Sequence, residues 1–265
     1  HELEEEEPTG KQFNHTLPQD KSISIANLSY TYPGAGNEPV LRHINLHIQE
    51  GKTSAIVGVS GSGKTTLLKL LLRFYEDYKG EINIGKSHLK PLSPRFWRNQ
   101  CGSVMQEGFI FSDSIAKNIA VSDESPDYQK LVHACKVANI LSFIESLPLG
   151  FNTKIGAEGN GISAGQKQRL LIARAVYKNP HYIFFDEATN SLDANNEKEI
   201  LQNLQDFFKN KTVVVVAHRL STVKNADNII VLHEGEIVES GNHEELTRKR
   251  GRYYELVKNQ LELGN

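Results

Sequence analysis

Eight residues in the first quarter of the chain have the types and spacing that phosphate chemistry needs. Residues 58–65 read GVSGSGKT and meet the pattern GxxxxGK[S/T] at every constrained position. Gly58, Gly61 and Gly63 let the backbone turn tightly and approach a ligand closely. Backbone N–H groups, together with the positive end of a following helix, make an anion site there. Lys64 is then placed to reach β- and γ-phosphates, and the Thr65 hydroxyl to ligate Mg²⁺. Ser60, Ser62 and Thr66 complete the expected nucleotide cradle. The competing reading is a chance glycine turn ahead of a core helix.

The surrounding elements favour the first reading. Residues 53–57 (TSAIV) form a short apolar, β-branched run, which predicts a buried strand. Residues 65–75 (TTLLKLLLRFY) carry leucines on several helical faces, which predicts a largely buried helix. Strand, glycine loop and helix in that order are the context the pattern requires.

A second group lies at residues 162–166, ISAGQ. Ser163 to Gln166 fits the capping box S-x-x-Q, so Ser163 is expected to cap a helix over residues 166–178. A capped helix start is again an anion site. The structural and functional readings are therefore compatible.

Elsewhere the pattern alternates between strands and helices. Residues 22–30 and 40–48 alternate apolar and polar and read as antiparallel strands joined through Pro33-Gly34. Short strands are expected at 81–84 and at 103–106, ending at Gln106, and Ser93-Pro94 reads as a helix start. From 114 to about 147 the pattern is helical, including Asp127 to Ala138. Tyr182 to Phe185 predicts a strand ending in Asp186-Glu187, residues 195–208 a helix, and Val213 to Ala217 a buried strand running into His218. A hairpin about Glu234-Gly235 and two helical stretches close the chain. This alternation predicts a parallel α/β core, interrupted by a helical insert near 107–165. Residues 1–20, with the acidic run from Glu4 to Glu7 and prolines at 8 and 18, read as a flexible acidic linker with something joined upstream, and residues 21–265 as one domain.

Composition removes several function classes. The chain has 265 residues, 38% hydrophobic and 23% charged, with a formal net charge of −2. That balance is ordinary for a globular protein and supplies no broad basic field, so no nucleic-acid partner is expected. Cys101 and Cys135 lack metal-ligand spacing and read as reduced thiols. Histidines 43, 47, 133, 181, 233 and 243 likewise lack metal spacing. No stretch approaches about 18 consecutive apolar residues. Phe109-Ile110-Phe111, just after Gln106, is either core or an exposed docking patch.

Taken with the phosphate loop, ISAGQ resembles the Leu-Ser-Gly-Gly-Gln signature of ATP-binding cassette (ABC) proteins. Over about residues 20–260 the chain resembles the nucleotide-binding domain of an ABC transporter, exporter type. The resemblance implies a P-loop NTPase core with mixed sheet, an antiparallel β subdomain and an inserted α-helical subdomain. It implies that Tyr32 stacks on adenine, with Tyr30 the competing aromatic, and that Gln106 is the Q-loop residue arranging Mg²⁺ with Thr65 and Asp186. It implies that Glu187 acts as general base and that His218 holds the γ-phosphate. Ser191-Leu192-Asp193 fits the D-loop, where Asp193 also reads as a plain helix cap. It implies that Ser163, Gly165 and Gln166 grip the ATP of a second copy, or an equivalent cassette, in a head-to-tail dimer. Two signature positions differ: Ile162 stands for leucine and Ala164 for the first glycine. The exporter Gly-Glu pair ahead of the signature has its glutamate shifted or lost in Gly156-Ala157-Glu158.

The run GNGISAGQKQRLLIARAVYKNP and the N-terminal linker are similar to exporters of bacteriocin-like peptides. In these a membrane-spanning domain, often behind a cysteine-peptidase domain, precedes the cassette in the same full-length chain. The implied function is ATP hydrolysis powering export at the cytoplasmic face of the cell membrane. The alternatives are a non-hydrolysing ATP-binding regulatory module, the cassette of another transporter subclass, a phosphotransferase on the same loop, and a chromosome-type ATPase. The signature has no role in a phosphotransferase, and the interval between Thr65 and Ile162 has no room for a long coiled coil.

Overall fold

The computed structural model describes residues 12–106, 108–156, 159, 161–186, 194–217 and 223–263, together with Glu7 and Gly10. In chain order the strands and helices begin with β1 (Ile23–Tyr30), β2 (Leu41–Ile48), β3 (Thr53–Val57), α1 (Lys64–Leu71), β4 (Lys79–Ile84), β5 (Ser87–His88) and α2 (Pro94–Gln100). Next come β6 (Cys101–Val104), β7 (Asp113–Ser114), α3 (Ile115–Ile119), α4 (Tyr128–Val137), α5 (Leu141–Ser146), β8 (Lys154–Ile155), α6 (Ala164–Lys178), β9 (Tyr182–Asp186) and α7 (Ala194–Phe208). The last are β10 (Thr212–Val216), β11 (Asn228–His233), β12 (Glu236–Gly241), α8 (His243–Lys249) and α9 (Arg252–Leu263). The chain divides into two units, residues 1–101 with 212–265, and residues 102–211.

The first unit contains two sheets. Strands β2, β1, β4 and β5 form an antiparallel sheet in that order, with β1 paired through Ile23–Ile48, Ile25–Leu46 and Leu28–Ile44. Alternation sends Ile23 and Ile25 inward, and an irregularity at Asn27, at φ 51°, shifts the register so that Leu28 and Tyr30 are buried as well. In the second sheet β3 lies between β10 and β11, parallel to both, and β12 folds back antiparallel on β11. Its strands are continuous buried runs such as Val213 to Val216, as parallel strands covered on both faces should be. Glu234 and Gly235 close the β11–β12 hairpin at φ 49° and 80°, the double positive φ of a two-residue hairpin turn.

The predicted helix over 65–75 is shorter than expected. It ends at Leu71, Leu72 is its C-cap, and Arg73 turns the chain at φ 59°. Arg73 is buried because its Nη1 donates to the carbonyls of Leu89 and Leu92. Trp97 Nε1 donates to Leu71 O at 2.7 Å. The Trp97 bond fastens α2 to the last turn of α1 and satisfies a carbonyl the helix end would otherwise leave bare, while Arg73 ties that turn to the segment leading into α2. Ser93 caps α2, accepting from Phe96 N, with Pro94 at its first position. Upstream, Asn14 N donates to Pro91 O at 2.8 Å, and Asn14 O accepts from Ser93 N at 2.9 Å.

The second unit is mostly helical. Helices α3 and α4 pack on α6, with Leu131, Ala134, Cys135, Leu170, Ile172, Ala173 and Val176 buried. Helix α7 adds Ile200 and Leu204, and β9 lies beside β6 with all five residues buried. The helical stretch expected over 114–147 is three helices. Asp127 caps α4, and Asn139 at φ 50° separates α4 from α5. The predicted α/β class, with a mixed sheet, an antiparallel sheet and a helical part, is the observed one. Among the described residues no helix is long and apolar enough to cross a membrane.

Candidate functional site

The first unit carries the phosphate loop. Strand β3 delivers the chain to Gly58, whose φ is 155° and where a Cβ would lie 2.1 Å from Leu232 O. Gly63, the α1 N-cap, sits at φ 103°, and its Cβ would lie 2.7 Å from Leu41 Cδ2. Only glycine satisfies both conditions at these positions. Gly61, at φ 79°, faces open space. Helix α1 carries no acid in its first turn, so nothing local offsets the positive end of its dipole.

The side chains of the loop suit an anion. Lys64 is 5% exposed, and its ammonium donates to the carbonyls of Gly58 and Val59, each at 2.9 Å. Ser62 is 2% exposed, and its buried Oγ has no hydrogen-bond partner. A buried donor with no partner costs stability unless a ligand supplies one, which is an observation in favour of phosphate at this place. The amides of Lys64, Thr65 and Thr66 precede the first intrahelical bond, Leu67 N to Gly63 O. Ser60 is exposed and Thr65 half-buried, while Thr66 is buried with Oγ1 bonded to the Tyr32 hydroxyl at 2.9 Å. Among the described residues no cluster of three His, Cys, Asp or Glu could hold a metal alone. A cation here would draw on the Thr65 hydroxyl, phosphate oxygens and water, the ligand mix Mg²⁺ prefers.

Tyr32 follows β1 and is half-buried, whereas Tyr30 is buried. Of the two rings, Tyr32 is the one with a partly exposed surface.

The second unit carries the other group. Ser163 Oγ accepts from Gln166 N at 3.1 Å, and Gln166 Oε1 accepts from Ser163 N at 2.8 Å. The capping box is complete, and α6 starts at Ala164 directly after its Ser163 cap, as the box implies. Gly165 lies in the first turn, and the Gln166 side-chain oxygen is committed to the cap. Asp186 closes β9 at 1% exposure. Strand β6 stops at Val104, two residues earlier than expected, and Gln106 is exposed in the turn beyond. Glu187, His218, Ser191, Leu192 and Asp193 lie outside the described residues, as do Ala157 and Glu158.

Phe109 and Phe111 are exposed at 65% and 45%, with ring centroids 5.1 Å apart. Their loop is knotted by Asn118, a buried residue that the sequence pattern did not single out. Asn118 Oδ1 accepts from Phe111 N at 2.8 Å, and its Nδ2 donates to the carbonyls of Phe111, Asp113 and Ser114. Arg174 Nε donates to Asn118 O at 2.7 Å and lies over the Phe111 ring. Tyr75 and Asn37, both touching Tyr32 or its backbone, were also missed. Asn37 had a turn-residue signal in the run PGAGN, but nothing local marks Tyr75.

The family profile described as ABC transporter matches residues 41–190. A multidrug resistance protein, pgp-1 of Caenorhabditis elegans, is 43% identical over 235 residues, 89% of this chain and 18% of its own length. The leukotoxin translocation ATP-binding protein LktB of Mannheimia haemolytica is 44% identical over 250 residues, 94% of this chain and 35% of its own length. The solved structure of a bacterial Atm1-family ABC exporter with ATP bound has a TM-score of 0.88 and 34% identity, covering 96% of this chain and 44% of that one. The chain thus spans less than half the length of each of these relatives. With its phosphate loop, capped signature helix and mixed sheet, the chain belongs to the ABC transporter family, as a nucleotide-binding domain of the exporter type and of the ATPase class.

Proposed function

We propose that this chain is the ATP-hydrolysing motor of an exporter, working by head-to-tail pairing with a second copy or an equivalent cassette. It sits on the cytoplasmic face of the cell membrane, joined to a membrane-spanning domain in the same full-length chain. The observation that carries the reading is the pairing of a buried ammonium, Lys64, with a buried hydroxyl lacking a partner, Ser62, at the positive end of α1.

Phosphoryl transfer is catalysed mainly by positioning and charge stabilisation. Lys64 and the loop amides offset charge on the β- and γ-phosphates. Thr65, Gln106 and Asp186 are the residues that would hold Mg²⁺, which when bound would supply charge neutralisation to the phosphates. Tyr32 receives the adenine. Glu187 takes the proton of the attacking water, and His218 steadies that pair. Ser163 and the first-turn amides of α6, with Gly165 and Gln166, present a second helix end to the γ-phosphate of the partner's ATP. The exposed Phe109–Phe111 loop, stiffened by Asn118, is the dock for the membrane-spanning domain.

For cargo we propose peptides, supported by the 44% identity, over 94% of this chain, to a leukotoxin translocation protein. Drugs are the second reading, favoured by the 43% identity to the multidrug resistance protein. Stimulation of the full-length exporter's ATPase by peptides, against stimulation by drugs, separates the two.

The central test is Glu187→Gln. The variant should bind ATP, accumulate as an ATP-dependent dimer in sedimentation, and release no phosphate. Normal turnover would refute the assigned base. A wild-type chain that binds ATP and releases no phosphate would favour the regulatory-module alternative.

A further inference from the structure

Tyr32 is an incompletely buried ring held from three directions. Its backbone is fixed by Asn37, whose Nδ2 donates to the carbonyls of Tyr32 and Pro33, each at 3.1 Å. Its hydroxyl pairs with Thr66 Oγ1 at 2.9 Å on the first turn of α1. Its ring stands nearly perpendicular to Tyr75, at 5.5 Å and 86°, and to Tyr30, at 5.1 Å and 79°. Tyr75 in turn stacks on the buried Tyr30 at 5.4 Å and 22°. Fixing a partly solvent-facing side chain costs rotamer entropy. That cost is recovered when a flat ligand lands on a surface already in place.

We propose that Tyr75, Thr66 and Asn37 are positioning residues that hold the Tyr32 ring ready for the base, and that the Tyr32–Thr66 hydroxyl pair ties the base platform to the phosphate-loop helix. The inference rests on the reading of Tyr32 as the adenine platform. Base and phosphates are then registered by one element: a displacement of α1 carries the Tyr32 hydroxyl with it, so the distance from ring to phosphate loop is preserved. Tyr75 acts through its ring, so phenylalanine can replace it and leucine cannot. Asn37 acts by pinning the turn after Tyr32. It also occupies the space that a side chain at Gly34 would need, with Nδ2 2.7 Å from where a Cβ would stand.

The test compares equilibrium binding of ATP with that of inorganic tripolyphosphate, a ligand without a base, to the 265-residue chain. Tyr75→Leu should weaken ATP about three- to ten-fold, the worth of an aromatic pair, and leave tripolyphosphate unchanged. Tyr75→Phe should bind both ligands as the parent does. Tyr32→Phe, which keeps the ring and loses the hydroxyl pair, should weaken ATP alone by about five-fold. Asn37→Ala, at an exposed turn, repeats the test where folding is not at risk and should also weaken ATP alone. If Tyr32→Ala lowers ATP affinity selectively while Tyr75→Leu and Asn37→Ala do not, the positioning inference fails and the platform reading stands. If Tyr32→Ala weakens both ligands equally, or neither, the platform reading fails and the inference with it.

Discussion

At the residue scale the chain places small side chains where the backbone turns or a helix begins, the positions an anion site would need. Position 164 shows how local physics settles a departure from the signature. A glycine would be required there only if φ were positive, and Ala164 is instead the first helical residue of α6, outside the set of positive-φ residues. Alanine is the better helix former by up to about 1 kcal/mol. Ala164→Gly should therefore lower thermal stability slightly and leave ATP turnover nearly unchanged in a phosphate-release assay. A large gain in turnover would show that the position needs glycine's freedom. Ser163→Ala is the contrasting change. It removes the oxygen that accepts from Gln166 N and should cost about 1 kcal/mol in denaturant unfolding. Both positions were legible in the sequence because a capping box spans only four residues. Tyr75 was not, because the ring it buttresses belongs to a distant segment and no short-range pattern records such a contact.

At the element scale, strand and helix existence followed from periodicity, and the ends did not. Leucines carry the α1 pattern to residue 72, and nothing in RFY announces a stop. The stop is tertiary: Arg73 adopts φ 59° because its guanidinium is drawn to the carbonyls of Leu89 and Leu92, and Trp97 takes the Leu71 carbonyl. The division of the 114–147 stretch is partly visible, since Asp127 is a cap residue and Asn139 tolerates a left-handed turn. Between them, α4 buries Cys135 completely, and burial pushes its thiol up to about 12. Burial disfavours the charged thiolate, so at pH 8 Cys135 stays in the unreactive thiol form. Iodoacetamide at pH 8 should modify Cys135 only as fast as the second unit opens, with labelling accelerating through the denaturant transition. Rapid labelling under native conditions would show that α4 does not hold its place against α6.

At the scale of the whole molecule, the resemblance implies that one ATP is gripped by two copies, by the loop around Lys64 in one and the α6 start in the other. The sequence shows both motifs, since each is a contiguous run. It says nothing that fixes their pairing, because the complementarity of two surfaces is not a pattern along one chain. Complementation tests it. Lys64→Ala disables the phosphate loop and leaves the α6 start intact. Gly165→Glu does the reverse. A glutamate in the first helical turn favours the helix dipole, so α6 should stay folded, while its carboxylate repels phosphate. Each variant alone should release no phosphate. Mixed in equal amounts, random pairing makes about half the dimers hybrid, and each hybrid has one intact composite site of its two, so up to about a quarter of parental turnover should return. Recovery on mixing requires that the two motifs act in trans. If each motif served ATP bound by its own chain, every molecule in the mixture would carry a broken site and turnover would stay at zero.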